Sequence, residues 1–261
     1  MRAYDTHTHT NVEPLDQEFQ AIKQQLEDLN LYANIVGYDV ESNALAIEQS
    51  KLSKNLFCAL AIHPNDVGRY DIEPTLQTIE EQALANREKV VAIGECGLDY
   101  YYNNDEATVA NQKVWFRRQI ELAKKLDLPV NMHIRNAHKD AQAIIAEYAN
   151  QGITFIVHCF TSNKEDSEAY VKLGCYISIP GVVTFKNGGD IREALSVIPR
   201  DKLLSETDAP WLAPVPHRGK TNYPYYVLDT NKFLANELNM EYEELSEMLF
   251  QNAVKAFKIK W

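Results

Sequence analysis

Seven side chains in this sequence are of the types from which a hydrolytic centre is built: His7, His9, His63, Glu95, His133, His158 and Asp208. The first two lie in YDTHTHT. Positions i and i+2 of a strand share a face, so Asp5, His7 and His9 are expected to project together. Imidazole nitrogens and carboxylate oxygens suit divalent zinc, manganese, nickel or, less well, magnesium. Four histidines and two carboxylates could hold two ions if one carboxylate bridged them, and Glu95 is the natural bridge. Two ions about 3.5–4 Å apart lower the pKa of a shared water, polarise a phosphoryl or carbonyl oxygen and stabilise a leaving group, which is hydrolytic chemistry. Taken alone, each of these histidines, His63 included, is more often a hydrogen-bonded core or surface residue than a ligand. Only their convergence on one place changes that.

Convergence requires elements that bring them together. Eight apolar, β-rich runs recur along the chain: RAYDTH, ANIVGYD, LFCALAIHP, VVAIGECG, LPVNMHI, TFIVHCF, CYISIPG and KLLSETD. Several are nearly continuous in Val, Ile, Leu, Phe and Ala, as suits parallel strands buried on both faces. Between them lie segments of helical spacing, with Phe19, Ile22, Leu26 and Leu29 in one, Phe116, Ile120 and Ala123 in another, and Leu245, Leu249 and Ala253 in a third. In SNKEDSEAYVKLG, a capping box from Ser162 to Glu165 and a closing Gly174 mark a further helix. Eight alternations in 261 residues predict a (β/α)₈ barrel formed by residues 1–261 as one domain, with an open doubly wound sheet as the competitor. The seven polar residues fall at the C-terminal ends of these runs, and in a barrel those ends meet at one mouth.

The bulk numbers exclude other classes. A formal net charge of -11 argues against extended tracking along nucleic acid, so any phosphate must be met locally. The four cysteines, Cys58, Cys96, Cys159 and Cys175, lack paired spacing and are expected to be reduced and packed. Cys96 should point away from the centre if Glu95 points in. There is no GxSxG elbow and no phosphate-cradling glycine loop. No long apolar window and no secretory leader pattern appears, which predicts a cytoplasmic protein without a membrane partner. No obligate protein partner is implied.

Taken together and in order, YDTHTH, AIHPND, AIGECGLDYY, FRRQIELAKKLDLPVNMHIRNA, IVHCF, YISIPGVVTF, LLSETDAPWLAP and HRGKTN resemble the TatD family of metal-dependent deoxyribonucleases, within the amidohydrolase-like barrels. The resemblance runs from end to end. It implies a (β/α)₈ barrel, a divalent-metal centre and hydrolysis of DNA phosphodiesters. It places His7 and His9 at the first ligand pair, Glu95 at the bridging carboxylate, and His133 and His158 at the second metal. Asp208 would be both ligand and general base, and Glu206 belongs to the same motif. The chain departs from the family pattern at Asn65, where a histidine thought to help bind phosphate is common, at Asn136 for aspartate, at Ser162 for glycine and at Tyr223 for glutamate. These departures bear on substrate more than on metal.

Substrate contacts are read more loosely. His63 and Asn65 lie in the AIHPND segment, and Arg135, two residues past His133, could meet a phosphate with its fork. Arg218 and Lys220 could add positive charge from the last loop. Tyr100, Tyr101, Tyr102 and Trp211 could stack on bases but are more often rings packed beneath a loop. Two other readings stand beside DNA hydrolysis: a barrel hydrolase of a small amide, lactone or phosphoester, and a non-catalytic binding protein stabilised by one metal.

Overall fold

The computed structural model describes residues 2–102 and 104–260. Each of the eight apolar runs contributes a strand: β1 Ala3–Thr8, β2 Leu31–Val36, β3 Leu56–Leu60, β4 Val90–Asp99, β5 Val130–Arg135, β6 Phe155–Val157, β7 Tyr176–Ile179 and β8 Leu203–Ser205. They form one parallel sheet in sequence order, β1 to β8. Helices alternate with them: α1 Leu15–Asp28, α2 Val40–Ser50, α3 Ile72–Ala85, α4 Glu106–Leu126, α5 His138–Glu147, α6 Lys164–Lys172, α7 Gly189–Ala194 and α8 Val227–Leu238. A further helix, α9 Tyr242–Ala256, packs against β1 and β8. This is the expected barrel, and the open sheet is set aside because its two end strands meet. Beyond β8, Asp208 N donates to His7 O at 2.9 Å and His9 N to Ala209 O at 2.7 Å. Thr8 and Ala209 form a parallel bridge.

The strands are buried on both faces, as their continuous apolar character requires. Along β3, Leu56, Cys58 and Leu60 join the main core under the helices, while Phe57 and Ala59 join a second cluster with Tyr4, Tyr176 and Leu204. Phe250, Ala253 and Phe257, from α9 and its C-cap, complete that second cluster. A two-residue period thus assigns alternate side chains to opposite faces.

The helices keep the expected faces with small shifts at their ends. Phe19, Ile22 and Leu26 are buried in α1, but Leu29 is its C-cap and is exposed. The α6 cap differs from expectation: Asn163, one residue later than Ser162, accepts from Asp166 N at 2.9 Å. Ser162 Oγ instead donates to the Asp166 carboxylate at 2.5 Å. An Asn cap is as good as Ser. Gly174 closes the helix as expected, at φ +79°, with Gly174 N donating to Val171 O and Cys175 N to Tyr170 O.

Strand β4 is longer than its sequence run. It continues past Glu95 to Asp99 because Gly97, at φ +147°, lies directly against His133 of β5. A Cβ on Gly97 would sit 2.1 Å from His133 O. A Gly97→Ala variant is therefore expected to lose about 3 kcal/mol of stability, read as a lowered denaturant midpoint. An unchanged midpoint would show that β4 and β5 can separate freely here.

Candidate metal centre and active-site cavity

Closure of the barrel builds the first half of the site. The hydrogen bonds between residues 7–9 and 208–209 set His7 and His9 beside Asp208, and the Nε2 atoms of His7 and His9 come within 3.1 Å of each other. Glu95 Oε2 reaches in from β4, 3.6 Å from His7 Nε2 and 3.5 Å from His9 Nε2. Asp208 Oδ1 completes the group at 3.9 and 3.6 Å from the same two nitrogens. A tetrahedral site with bonds of about 2.0–2.2 Å separates its ligand atoms by roughly 3.4 Å. His7, His9 and Glu95 are therefore spaced as ligands around one small cation would be, and Asp208 Oδ1 stands beside both nitrogens.

The outer nitrogens of both rings are secured. His9 Nδ1 donates to Val36 O at 2.9 Å, leaving the Nε2 lone pair facing the group. His7 Nδ1 lies 3.0 Å from Asn131 Nδ2, while Asn131 Oδ1 is buried and without a partner. As placed, Asn131 Nδ2 donates to His7 Nδ1; with the amide reversed, Oδ1 would accept from Nδ1–H and leave the His7 Nε2 lone pair facing the group.

The second half gathers on the other Glu95 oxygen. Glu95 Oε1 lies 2.7 Å from His133 Nδ1, 2.9 Å from His158 Nε2 and 3.6 Å from His63 Nε2. His63, read from sequence as a substrate contact, thus stands within this second group. The His7 ring stacks on His158 with centroids 3.7 Å apart, joining the halves. Asp5, expected to project with His7 and His9, is not among the atoms gathered around Glu95. The β1 register shifts between Asp5 and Thr8, and the Asp5 carboxylate accepts from Thr207 N and Oγ1 at 2.8 and 2.5 Å, tying β1 to the end of β8.

The electrostatics of the cluster call for positive charge. Burial acts to raise the Glu95 carboxyl, but His158, His63 and His133 outweigh it and hold it well below the usual range. Burial likewise opposes the Asp208 anion, which the hydrogen bond from His9 and the nearby His7 hold down. Burial pushes His9, His133 and His158 down, and their carboxylate neighbours raise all three. Partial burial and the neighbouring His133 lower His63 to about 3. Carboxylates kept anionic among imidazoles are neutralised by protons or by a cation, and a divalent ion does so without protonating its ligands.

Several neighbours were not legible as site residues. Asp99, at the extended end of β4, accepts from His133 Nε2 at 3.1 Å, from Asn65 Nδ2 at 3.0 Å and from Tyr101 N at 2.9 Å. Burial acts to raise it, but His133 and these donors hold it down at about 2. Asn65, the substituted position of HPND, thus steadies the carboxylate that orients His133. Glu206, the unassigned member of the ETD motif, accepts from Cys159 N at 2.6 Å and lies 3.4 Å from His158 Nδ1. Glu206 Oε2 has no partner. An Asp99→Asn variant is expected to weaken divalent-ion binding at the His133 half about 10–100-fold and to leave the other half unchanged. A calorimetric Mn²⁺ titration reads this, and two unaltered binding steps would remove Asp99 from that role.

The groups open into a cavity of about 430 Å³ lined by His9, Tyr38, Asn65, Tyr102, Arg135 and Trp211 among others. Arg135 lies with its guanidinium carbon 3.7 Å from the Tyr101 ring centroid and 5.3 Å from that of Tyr102. Tyr101, Tyr102 and Trp211 are not packed beneath loops as expected: they are 56%, 65% and 51% exposed. Tyr100 is partly buried and donates to Asp140 at 2.9 Å. Arg218 lies over Phe185 at 4.3 Å and is not among the cavity residues. The four cysteines are free: Cys58, Cys96 and Cys175 are buried, as a packed thiol should be, while Cys159 lines the cavity.

A (β/α)₈ barrel with histidines and carboxylates converging at its strand ends belongs among the metal-dependent hydrolases. More narrowly, the chain belongs to the TatD-related DNase family, whose model matches residues 4–258. An uncharacterized metal-dependent hydrolase of Mycoplasma genitalium is 37% identical over 264 residues, covering 98% of this chain and 99% of that protein. A second, from Bacillus subtilis, is 36% identical over 258 residues, covering 98% and 99%. The crystal structure of a TatD homologue from Escherichia coli superposes with a TM-score of 0.90 at 25% identity, covering 99% of this chain and 98% of that one. The non-catalytic binding reading is thereby displaced. No helix among the described residues is long and apolar enough to cross a membrane.

Proposed function

We propose that this hydrolase is a deoxyribonuclease that cleaves DNA phosphodiesters with two divalent ions. His7, His9, Glu95 and Asp208 would hold one, Glu95, His133 and His158 the other, and Glu95 would bridge. The observation that carries this reading is that the two Glu95 oxygens face two separate groups of histidine nitrogens. When bound, such a pair lowers the pKa of water and stabilises charge on phosphoryl oxygens. Asp208, kept anionic by His9 and His7, is the general base that takes the proton from the attacking water. Arg135, stacked on Tyr101, offers its fork to a phosphate. His63 and Asn65 would flank the same phosphate. The whole chain acts as one catalytic unit, in the cytoplasm, where its free thiols stay reduced.

The test is cleavage of end-labelled single-stranded DNA by metal-stripped protein, with Mg²⁺, Mn²⁺, Zn²⁺ or Ni²⁺ restored. Metal-restored cleavage supports the nuclease, and the ladder shows where along the strand it acts. One observation favours a second reading, hydrolysis of a small amide, lactone or phosphoester: Arg135 is the only Arg or Lys among the residues lining the cavity. Turnover of such a compound by folded, metal-loaded protein that leaves DNA intact would establish that alternative.

A further inference from the structure

The exposed aromatic rings of this protein are gathered at one place. Among the described residues, the only large aromatic side chains that are exposed are Tyr101, Tyr102 and Trp211. Tyr102 and Trp211 line the active-site cavity, as does the partly buried Tyr38, and Tyr101 stacks on the cavity's Arg135. Exposing three rings leaves a large apolar area in water, and their shared location marks a contact surface.

Their placement follows from the barrel order. Trp211 follows β8 and Tyr38 follows β2, on either side of β1, and both lie edge-on to His9, at 5.3 and 5.9 Å. Tyr102 follows β4, and Arg135 ends β5. In a ring of eight strands, β4 and β5 stand across the mouth from β8, β1 and β2. The metal-ligand candidates lie between these two rims. The only Arg or Lys lining the cavity, Arg135, is on the β4–β5 side, stacked on Tyr101 with Tyr102 beside it.

We propose that Trp211 with Tyr38 on one rim, and Tyr102 on the other, stack on the nucleobases either side of the phosphodiester under attack, while Arg135 takes a neighbouring phosphate. This rests on the nuclease reading. It supplies an answer to the shortage of positive charge: a strand is held by the faces of its bases, which every base presents, rather than by a basic track. It also makes the enzyme read bases as objects to stack on and not by their hydrogen-bonding edges, so cleavage should be nearly indifferent to sequence.

The test compares single-stranded oligonucleotides, intact or carrying one abasic tetrahydrofuran unit beside a chosen phosphate, on metal-loaded enzyme. The intact strand is expected to be cut at that phosphate about tenfold faster than the abasic one. Trp211→Leu and Tyr102→Leu should each raise KM for the intact strand about tenfold, with Trp211→Phe restoring most of it. On a strand abasic on its own side, each Leu variant should add little further loss. Equal cleavage of intact and abasic strands, or equal losses in Trp211→Phe and Trp211→Leu, overturns the proposal and leaves the nuclease standing. If wild-type enzyme cuts neither strand with any metal, the nuclease reading fails and fluorescence decides the rim. Oligonucleotide quenching of tryptophan emission in metal-loaded Asp208→Asn protein, absent when Trp211→Leu is added, sustains base stacking; no quenching overturns it.

Discussion

Replacing Asp208 by Asn is expected to slow DNA cleavage about 10²–10⁴-fold, the range for loss of a general base, while the protein stays folded. Asn keeps the shape of the side chain and one oxygen to face His7 and His9, so the loss reports the missing basic oxygen together with the anionic charge that would help hold an ion. It also tolerates the backbone, since Asp208 sits at φ +56°, a region Asn adopts readily. Single-turnover cleavage reads the effect, and circular dichroism with a thermal melt shows that the fold persists. Asp208 is only partly buried but is held anionic by His9 and His7, so its loss removes a base already placed among the imidazoles. Undiminished cleavage would mean that another group takes the proton and that Asp208 serves only to bind.

The second large effect is expected for Glu95→Gln. Removing a charge shared by both halves of the centre should lower activity by about 10³-fold or more, the loss of several kcal/mol of electrostatic stabilisation. It also has a readout that needs no substrate. A cation present at about 1,000 times its Kd adds about 4 kcal/mol to stability, which for a chain of this length raises Tm by about 10 °C. Wild-type protein should show that rise when Mn²⁺ or Zn²⁺ is restored, and Glu95→Gln should lose most of it. The Gln amide would present N–H where an acceptor is needed, against His133 and His158 or against His7 and His9. An unaltered metal-dependent rise would show that Glu95 does not hold the ions.

The barrel was legible because its signal is repeated and local. Each strand announces itself by a buried apolar run, and each helix by its spacing, so eight alternations leave little choice of architecture. Where a single residue sets an element's end, the reading slipped. The α6 cap moved from Ser162 to Asn163, and Leu29 fell outside α1, since side chains of nearly equal capping strength compete and tertiary contacts choose. The continuation of β4 past Glu95 hid in Gly97, whose conformation is set by close approach to His133, 36 residues further along the chain by number.

What the sequence determined by itself is the order of strands and helices and the candidates at the strand ends, because periodicity and position within a run are properties of neighbours along the chain. What only the tertiary structure decided is which atoms meet. Residues 7–9 and 208–209 close the barrel on one another, Glu95 turns one oxygen to each histidine group, and Asp99 with Asn65 supports His133. The same holds for the rims: Tyr102 and Trp211 stand exposed and Arg218 is drawn to Phe185. These outcomes depend on contacts between segments far apart in sequence, whose energies are settled by packing and desolvation in three dimensions and leave no periodic trace in the chain.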